Sequence, residues 1–297
     1  MTDAPSDRAP QGEDELTRVL DVERLEDNYF RGIATPSGRG RSFGGQVIAQ
    51  ALMAATRTVE DDRAAHSLHA YFMRPGNAAE PVLYQIERDR DGGSFTTRRV
   101  VAVQAGRPIL NMAASFQVEE PGLVHQDDMP DVPGPEGLLN EQQLAEQFEG
   151  NLDPQYHRFL KKERPIEIRP CEPRPPFQDT GKIMVQHSWM RARAAMPDGH
   201  ALHRTALAYM SDLGILGASL TRNGASFGRS DIMVASLDHA VWLHGPLRMD
   251  EWLLYVMDST WAGNARGFTR GRIYTRDGRL VANVAQEGLI RPMTRKD

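Results

Sequence analysis

The 297-residue sequence contains one cysteine, no long hydrophobic run and no excess of basic residues. A single cysteine cannot form an internal disulfide, which fits a reducing compartment. No segment reaches the roughly 18 consecutive apolar residues expected of a membrane span. The start, "MTDAPSDRAPQGEDELTR", is acidic and proline-bearing, unlike a signal peptide. We therefore predict a cytoplasmic protein with no membrane partner, in which residues 1–15 form a disordered lead-in.

The charge balance and the absence of nucleotide motifs limit the classes of ligand. A net charge of −5 argues against nucleic acid as a partner, because no broadly basic surface is available. Neither a phosphate-binding loop nor a dinucleotide-binding glycine motif occurs, so no nucleotide cofactor is predicted. His200 and His203 could approach each other on a helix, but no glutamate lies between them and no third ligand is evident. No metal site is predicted.

Two residues offer alternative nucleophiles, and their surroundings disfavour both. Ser226 lies in "GASFG", the pattern of a nucleophile elbow, which requires a buried strand before the serine and a helix after it. The preceding "ASLTRN" is polar at its end, and the following "GRSDIMVASLDHAVW" is typical of a turn and a strand, so we interpret the motif as a glycine-rich loop. Cys171 lies among prolines in "RPCEPRPP", which also predicts a loop.

Proline density divides the chain into two similar halves. About half of the 19 prolines fall between Pro121 and Pro176, so residues 121–178 are predicted to be a connector with at most one short helix near residues 140–148. The flanking segments, 16–120 and 179–297, repeat each other's features. Their prolines, D-G or G-R turns and asparagines recur at a spacing of about 171 or 172 residues. This spacing indicates a duplicated domain rather than a solenoid repeat.

Each half combines one apolar helix with an antiparallel meander. "GGQVIAQALMAATRTV" in the first half is apolar on every face, and "TALAYMSDLGILGASL" in the second has the same character. A helix that is apolar all round must be enclosed. The β-rich runs that follow are joined by tight turns. The pattern predicts an α+β double hot-dog, in which two tandem antiparallel sheets each wrap a central helix.

Two polar residues stand out against these apolar segments. Asp212 follows "TALAYMS", and an unpaired buried carboxylate costs several kcal/mol. The alternative is that Ser211 or Asp212 caps a short following helix. In "VANVAQEGLI", alternation places Gln286 on the apolar face with Ala282 and Val284, where burial with backbone partners is the alternative role. Ser236 shares a strand face with apolar residues and alone indicates little.

Several segments in the same order resemble the type II acyl-CoA thioesterases, the TesB-like double hot-dog enzymes. They are "FGGQVIAQAL", "HSLHAYFMRPG", "DGGSFTTRRVVAVQAGRPI", "YMSDLGIL", "LDHAVWLH" and "ARGFTRGRIYTRDGRLVANVAQEGLIR". The resemblance implies hydrolysis of acyl-CoA to a carboxylic acid and CoA. It also implies a catalytic trio, matched here by Asp212, Ser236 and Gln286; bacterial members often have threonine at the Ser236 position.

The substrate-binding predictions concern two regions. Backbone N–H groups at a helix start could stabilise an oxyanion, and Gly44 and Gly45 are the candidates, although they could instead only permit close helix packing. Arg266, Arg270 and Arg272 could meet the CoA phosphates, with an exposed, salt-screened edge as the alternative.

A homo-oligomer is expected by analogy. A non-catalytic acyl-CoA-binding module and a hot-dog hydratase are the rival functions.

Overall fold

The computed structural model describes residues 15–35, 40–148, 164–172, 181–227 and 231–293. The first half contains two helices and six strands. In chain order they are α1 (Glu15–Leu20), β1 (Val22–Glu26), β2 (Tyr29–Gly32), α2 (Gly44–Thr56), β3 (Arg63–Phe72), β4 (Val82–Asp91), β5 (Phe95–Gln104) and β6 (Arg107–Val118). The meander β4–β5–β6 is the one that its turn residues predict, with Ala105 and Gly106 both at positive φ in the β5–β6 turn.

The rest of the described chain contributes three helices and seven strands. They are α3 (Glu141–Gln147), β7 (Ile166–Pro170), β8 (Val185–Ala192), α4 (His200–Ser211), α5 (Gly217–Arg222), β9 (Ile232–Ser236), β10 (Asp238–Leu243), β11 (Leu253–Gly263), β12 (Arg266–Thr275) and β13 (Leu280–Pro292). A short 3₁₀ turn, Pro135–Gly137, precedes α3. None of the helices in the described residues is both long enough and apolar enough to span a bilayer.

All thirteen strands of the described residues form one antiparallel sheet. Its order is β1-β2-β4-β5-β6-β3-β10-β13-β12-β11-β8-β7, with β9 paired to β13. The two halves meet where β3 pairs with β10, from Tyr71 opposite Asp238 to Ser67 opposite Trp242. This pairing brings helices and strands of both halves to a common centre.

The α2 helix is enclosed, as its composition predicts. Ten of its residues are buried, including Gln46 and Gln50. Gln50 is fully buried and satisfied: its Nε2 donates to the Val19 carbonyl at 2.7 Å, and its Oε1 accepts from the Tyr84 hydroxyl at 2.8 Å. A buried amide with both groups bonded avoids the desolvation penalty of an unpaired polar group. The helix therefore tolerates two polar side chains in its core surroundings.

The second apolar segment forms two helices instead of one. α4 ends at Ser211, and α5 begins at Gly217. Between them Gly214 adopts φ +80°, a left-handed conformation that glycine reaches without the Cβ penalty of other residues. Asp212 consequently lies just beyond the last helical residue of α4, where backbone groups of a neighbouring element can reach it.

The connector region contains more structure than its prolines suggest. α3 lies within the region where a short helix was expected, with Asn140 and Gln143 forming a capping box. Strand β7 was not predicted; it occupies an edge of the sheet and ends at Pro170, a position where proline costs no ladder hydrogen bond on the open side. Residues of the connector also cover a second apolar cluster around Trp189, Trp252 and Tyr274.

Candidate active site

Asp212 is held by the start of the first-half helix. It is partly buried, and its Oδ2 accepts a hydrogen bond from the Gly45 backbone N–H at 2.8 Å. Gly45 is the second residue of α2, so the bond joins residues 167 positions apart. The first N–H groups of a helix lack intrahelical partners and carry partial positive charge, which suits a carboxylate. The capping alternative is wrong: α5 has no side-chain cap, and its N-cap residue is Leu216.

Gln286 connects Asp212 to Ser236. Its side chain is 1% exposed, as the β13 alternation predicts. The Nε2 group donates to Ser236 Oγ at 2.6 Å, and the Gln286 side chain also hydrogen-bonds to Asp212. Ser236 is the last residue of β9 and pairs with Gly288 on β13, two residues from Gln286. The three side chains implied by the resemblance therefore form one hydrogen-bonded group.

Burial changes the acid strength of this carboxyl. Desolvation raises the pKa of Asp212 to about 7, and the hydrogen bonds from Gly45 and Gln286 only partly offset that rise. A carboxyl with a pKa near neutrality accepts a proton more readily than an exposed aspartate does, yet is substantially ionised at physiological pH. The site thus contains a carboxyl of near-neutral pKa beside a serine hydroxyl and a glutamine amide.

The glycine pair lets α2 approach this carboxylate closely. A Cβ on Gly44 would lie 2.9 Å from Asp212 Oδ2 and also 2.9 Å from Phe72 Cζ. A Cβ on Gly45 would lie 2.5 Å from the Tyr209 carbonyl oxygen. Close packing, the alternative left open for these glycines, is therefore real. It coexists with a polar function, because the Gly45 N–H is bonded to Asp212.

His239 is a member of the cluster that sequence reasoning missed. It is 1% exposed; its Nδ1 lies 2.9 Å from Gln286 Oε1, and its Nε2 lies 2.8 Å from Ser211 Oγ. Burial lowers the pKa of His239 to about 4, which keeps the imidazole neutral. A signal was present in the sequence: alternation in "DHAVWL" places His239 on the same face as the buried Val241 and Leu243.

The three arginines lie away from this cluster. On β12 the buried residues Gly267, Thr269 and Gly271 alternate with the arginine-bearing face. The arginines are ion-paired there: Arg266 with Glu287 at 3.3 Å, Arg270 with Asp258 at 2.9 Å and Arg272 with Asp127 at 3.7 Å. Thr269 and Gln286 are opposite each other across β12 and β13, so the arginines project from the other side of the sheet. Their contact with CoA phosphates stays a prediction.

The other candidates occupy unsuitable places. Ser226 is buried and follows helix α5 through a turn, so the strand that a nucleophile elbow requires before its serine is absent from this position. Burial raises the pKa of the Cys171 thiol to about 12, which disfavours the reactive thiolate. His203 is buried, and its Nδ1 accepts the Met249 backbone N–H at 3.1 Å. No group of three potential metal ligands occurs within the described residues.

Comparison with known proteins identifies the family. Residues 34–117 match the model of the acyl-CoA thioesterase N-terminal domain, and residues 127–290 match that of the C-terminal domain. The human acyl-coenzyme A thioesterase 8 is 42% identical over 284 residues, which cover 93% of this chain and 88% of the relative. The chain belongs to the acyl-CoA thioesterase family. The resemblance to type II enzymes is confirmed, and this thioesterase hydrolyses the thioester of acyl-CoA.

Solved structures extend the comparison to the fold. The acyl-CoA thioesterase II TesB2 from Mycobacterium marinum is 44% identical to this thioesterase, with a TM-score of 0.75, and covers 93% of this chain and 98% of its own. A hot-dog protein from Alicyclobacillus acidocaldarius, 19% identical, superposes with a TM-score of 0.72 and covers 93% and 98% of the two chains. The hot-dog fold is therefore confirmed. The hydratase and binding-module alternatives are not favoured.

Proposed function

We propose that this thioesterase hydrolyses acyl-CoA by direct attack of a water molecule that Asp212, Ser236 and Gln286 hold and activate. The observation that carries the proposal is the hydrogen-bonded group itself. Asp212 accepts from Gly45 at 2.8 Å, while the buried Gln286 amide joins Ser236 at 2.6 Å and also reaches Asp212. The Asp212 carboxylate can accept a hydrogen bond from a water and the Ser236 hydroxyl can donate one, while the Gln286 amide, whose two N–H groups reach Asp212 and Ser236, holds both in place.

Asp212 is the general base of this mechanism. With its pKa raised to about 7, the ionised carboxylate removes a proton from water as the oxygen attacks the thioester carbonyl carbon. The new C–O bond gives a tetrahedral oxyanion. Its collapse breaks the C–S bond and releases CoA as the thiolate. A thiol with an ordinary pKa of about 8.5 leaves readily, so strong general-acid assistance is unnecessary.

The oxyanion requires donors that are in place before the reaction. We assign this part to the first turn of α2, beside Gly45, because helix-start N–H groups point outward without helical partners. The Gly45 N–H itself bonds to Asp212, so it contributes by orienting the base. Gly44 remains in the proposed substrate-binding set, since the absence of a side chain there leaves the Asp212 carboxylate accessible to a reacting group.

The test is thiol release from acyl-CoAs of graded chain length, followed with a colorimetric thiol reagent. We expect Asp212→Asn to lower kcat by about 10³-fold, within the range that a general base contributes. Substrate binding, measured by calorimetry, should persist in this variant. Ser226→Ala is the matched control and should retain full activity.

Two results would contradict the mechanism. Undiminished thiol release by Asp212→Asn would remove the proposed base. Covalent labelling of Ser226 by a serine-directed phosphonate, with loss of activity in Ser226→Ala, would replace the activated water with a serine nucleophile. Binding of acyl-CoA without thiol release by the wild-type protein would instead favour the non-catalytic module.

The proposal includes the larger architecture. We infer a double hot-dog, supported by the single sheet in which β3 and β10 join the halves and by the enclosed helix α2. We also infer a homo-oligomer, supported by Tyr71 and Trp242, which are 63% and 36% exposed near that junction. Light scattering during size-exclusion chromatography measures the subunit number. A cytoplasmic location and a role in lipid metabolism stay predictions that cell fractionation and acyl-CoA profiling test.

A further inference from the structure

His239 has no part in the proposed water activation, although it contacts the residue that holds the water. Its imidazole bridges Ser211 and Gln286, with Nε2 2.8 Å from Ser211 Oγ and Nδ1 2.9 Å from Gln286 Oε1. Ser211 directly precedes Asp212 in the chain. The bridge therefore runs from the end of α4 to the Gln286 amide, on the side of that amide opposite to Ser236.

The hydrogen bonds around Gln286 favour one set of proton positions in this bridge. Gln286 Nε2 donates to Ser236, and because an ionised carboxylate only accepts, the hydrogen bond to Asp212 also comes from Nε2, which leaves the acceptor Oε1 facing His239. An amide oxygen only accepts, which makes Nδ1–H of the imidazole the donor. Because burial keeps this imidazole neutral, Nε2 has a lone pair and accepts the Ser211 hydroxyl proton. The chain of donation then runs from Ser211 through His239 to Gln286.

The opposite tautomer would reverse the chain. With Nε2 protonated, Nδ1 would become an acceptor, and the amide of Gln286 would rotate so that its NH₂ group met the ring. Oε1 would then face the Asp212 carboxylate, where two acceptors repel each other. Ser211 would donate instead to the Ala208 carbonyl, which is 2.9 Å from its Oγ. Both arrangements fit the same heavy-atom positions, so the tautomer decides which end of the amide faces the base.

We propose that His239, held as its Nδ1–H tautomer by the Ser211 hydroxyl, is a positioning residue that keeps the NH₂ group of Gln286 directed at Ser236 and Asp212. This inference rests on the proposed function, since the orientation of the amide has a consequence only if Gln286 holds the water. Around metal sites, outer partners that orient the ligands contribute about 10- to 100-fold to affinity or activity, and we expect an effect of the same order here.

A matched pair of variants tests the role. The side chain of His239→Asn can place an N–H close to the position of Nδ1, whereas that of His239→Gln reaches the position of Nε2. We expect His239→Asn to keep kcat within about 3-fold of wild type, and His239→Gln to lower kcat by about 10- to 100-fold, with KM little changed in either. Equal loss in both variants, or wild-type kcat in His239→Gln, would overturn the proposal.

A measurement on the wild-type protein tests the tautomer without any variant of His239. Nitrogen-15 NMR of labelled protein distinguishes a protonated ring nitrogen from a bare one. We expect Nδ1 of His239 to carry the proton. His203 is the internal control, because its Nδ1 accepts the Met249 N–H and must be bare in the neutral ring. A proton on Nε2 of His239 would overturn the proposal.

Failure of the proposed role of His239 can be distinguished from failure of the proposed function. If Gln286→Ala loses turnover while His239→Gln keeps it, the water-holding role stands and the positioning role of His239 is wrong. If Gln286→Ala retains full turnover, the trio itself is wrong, and the inference about His239 falls with it.

Discussion

Equivalent strands in the two halves carry side chains of opposite polarity. In the first half Leu68 on β3 pairs with Ala114 on β6, and both are buried. At a spacing of 171 or 172 residues, the positions of the second half are His239 and Gln286, which lie opposite each other next to the Ala240–Ala285 pair. Ser236 likewise corresponds to the buried Ala65.

This difference in polarity shows that the same strand positions can form a hydrophobic core in one half and a candidate active site in the other. The first half fills these positions with apolar side chains that need only contact neighbours. The second half fills them with polar side chains that must satisfy one another, and they do so through the chain Ser211, His239, Gln286 and Ser236. Buried polar networks are tolerated when every member is bonded. The first half still contributes to the site, through the Gly45 N–H.

The largest effect is expected when a polar residue of the second half is replaced by its apolar counterpart from the first half. Gln286→Ala reproduces Ala114 at the equivalent position. We expect kcat to fall about 100-fold, because Asp212 and Ser236 lose the amide that holds them in place and His239 loses its acceptor. We also expect a loss of roughly 1–3 kcal/mol in unfolding free energy from the unpaired ring N–H. Steady-state kinetics and urea denaturation measure the two effects, and wild-type kcat would contradict the first.

The pH dependence of kcat/KM tests whether the polar site of the second half titrates through Asp212. Asp212 must be ionised to act as base, and its pKa is raised to about 7. We expect kcat/KM to increase about tenfold per pH unit below pH 7 and to level off above it. A profile already flat at pH 5, measured with a substrate whose chemistry is rate-limiting, would exclude Asp212 as the base.

The free energy of unfolding should show the cost of burying the ionised Asp212 carboxylate. The pKa of Asp212 in the folded protein is raised from 3.8 to about 7, so the folded state binds the proton more tightly than the unfolded state does. The stabilisation that proton binding by Asp212 gives the folded state is fully present below pH 4 and is lost as the pH increases through 7. We expect Asp212→Asn to increase unfolding free energy at pH 8 by up to roughly 4 kcal/mol, and by almost nothing at pH 4.

Chemical denaturation at both pH values measures this difference. Because the change affects one titrating group, the other ionisable residues cancel between wild type and variant. An equal stability gain at pH 4 and pH 8 would show that the gain does not come from the ionised carboxylate.

The smallest effect on turnover is expected from the reverse exchange. Ala114→Gln places an amide in the first half opposite Leu68, which offers no hydrogen-bond partner. We expect a loss of roughly 2–4 kcal/mol from overpacking and an unsatisfied amide, with kcat of the folded fraction unchanged. Thermal melting and active-site-normalised kinetics check this pair of outcomes; lower kcat in fully folded protein would show that the two halves are coupled.

Much of this architecture could be predicted because it depends on local patterns. Alternation in β13 put Gln286 on the buried face, and the all-round apolar character of "GGQVIAQALMAAT" required an enclosed α2. Strand β7 escaped prediction because its few residues lie between prolines at a sheet edge. His239 escaped because a single buried histidine is compatible with either a structural or a functional role.

By itself, the sequence predicted the duplicated plan, and it determined the enclosed helix and the two polar residues, Asp212 and Gln286, in apolar surroundings. Only the tertiary structure decided that the Gly45 N–H reaches Asp212, that His239 hydrogen-bonds to the Gln286 amide and that the β12 arginines are ion-paired on the opposite face. The reason is physical: periodicity reports which face of one element is buried. Contacts between residues 167 positions apart depend on how β3 and β10 pair the two halves.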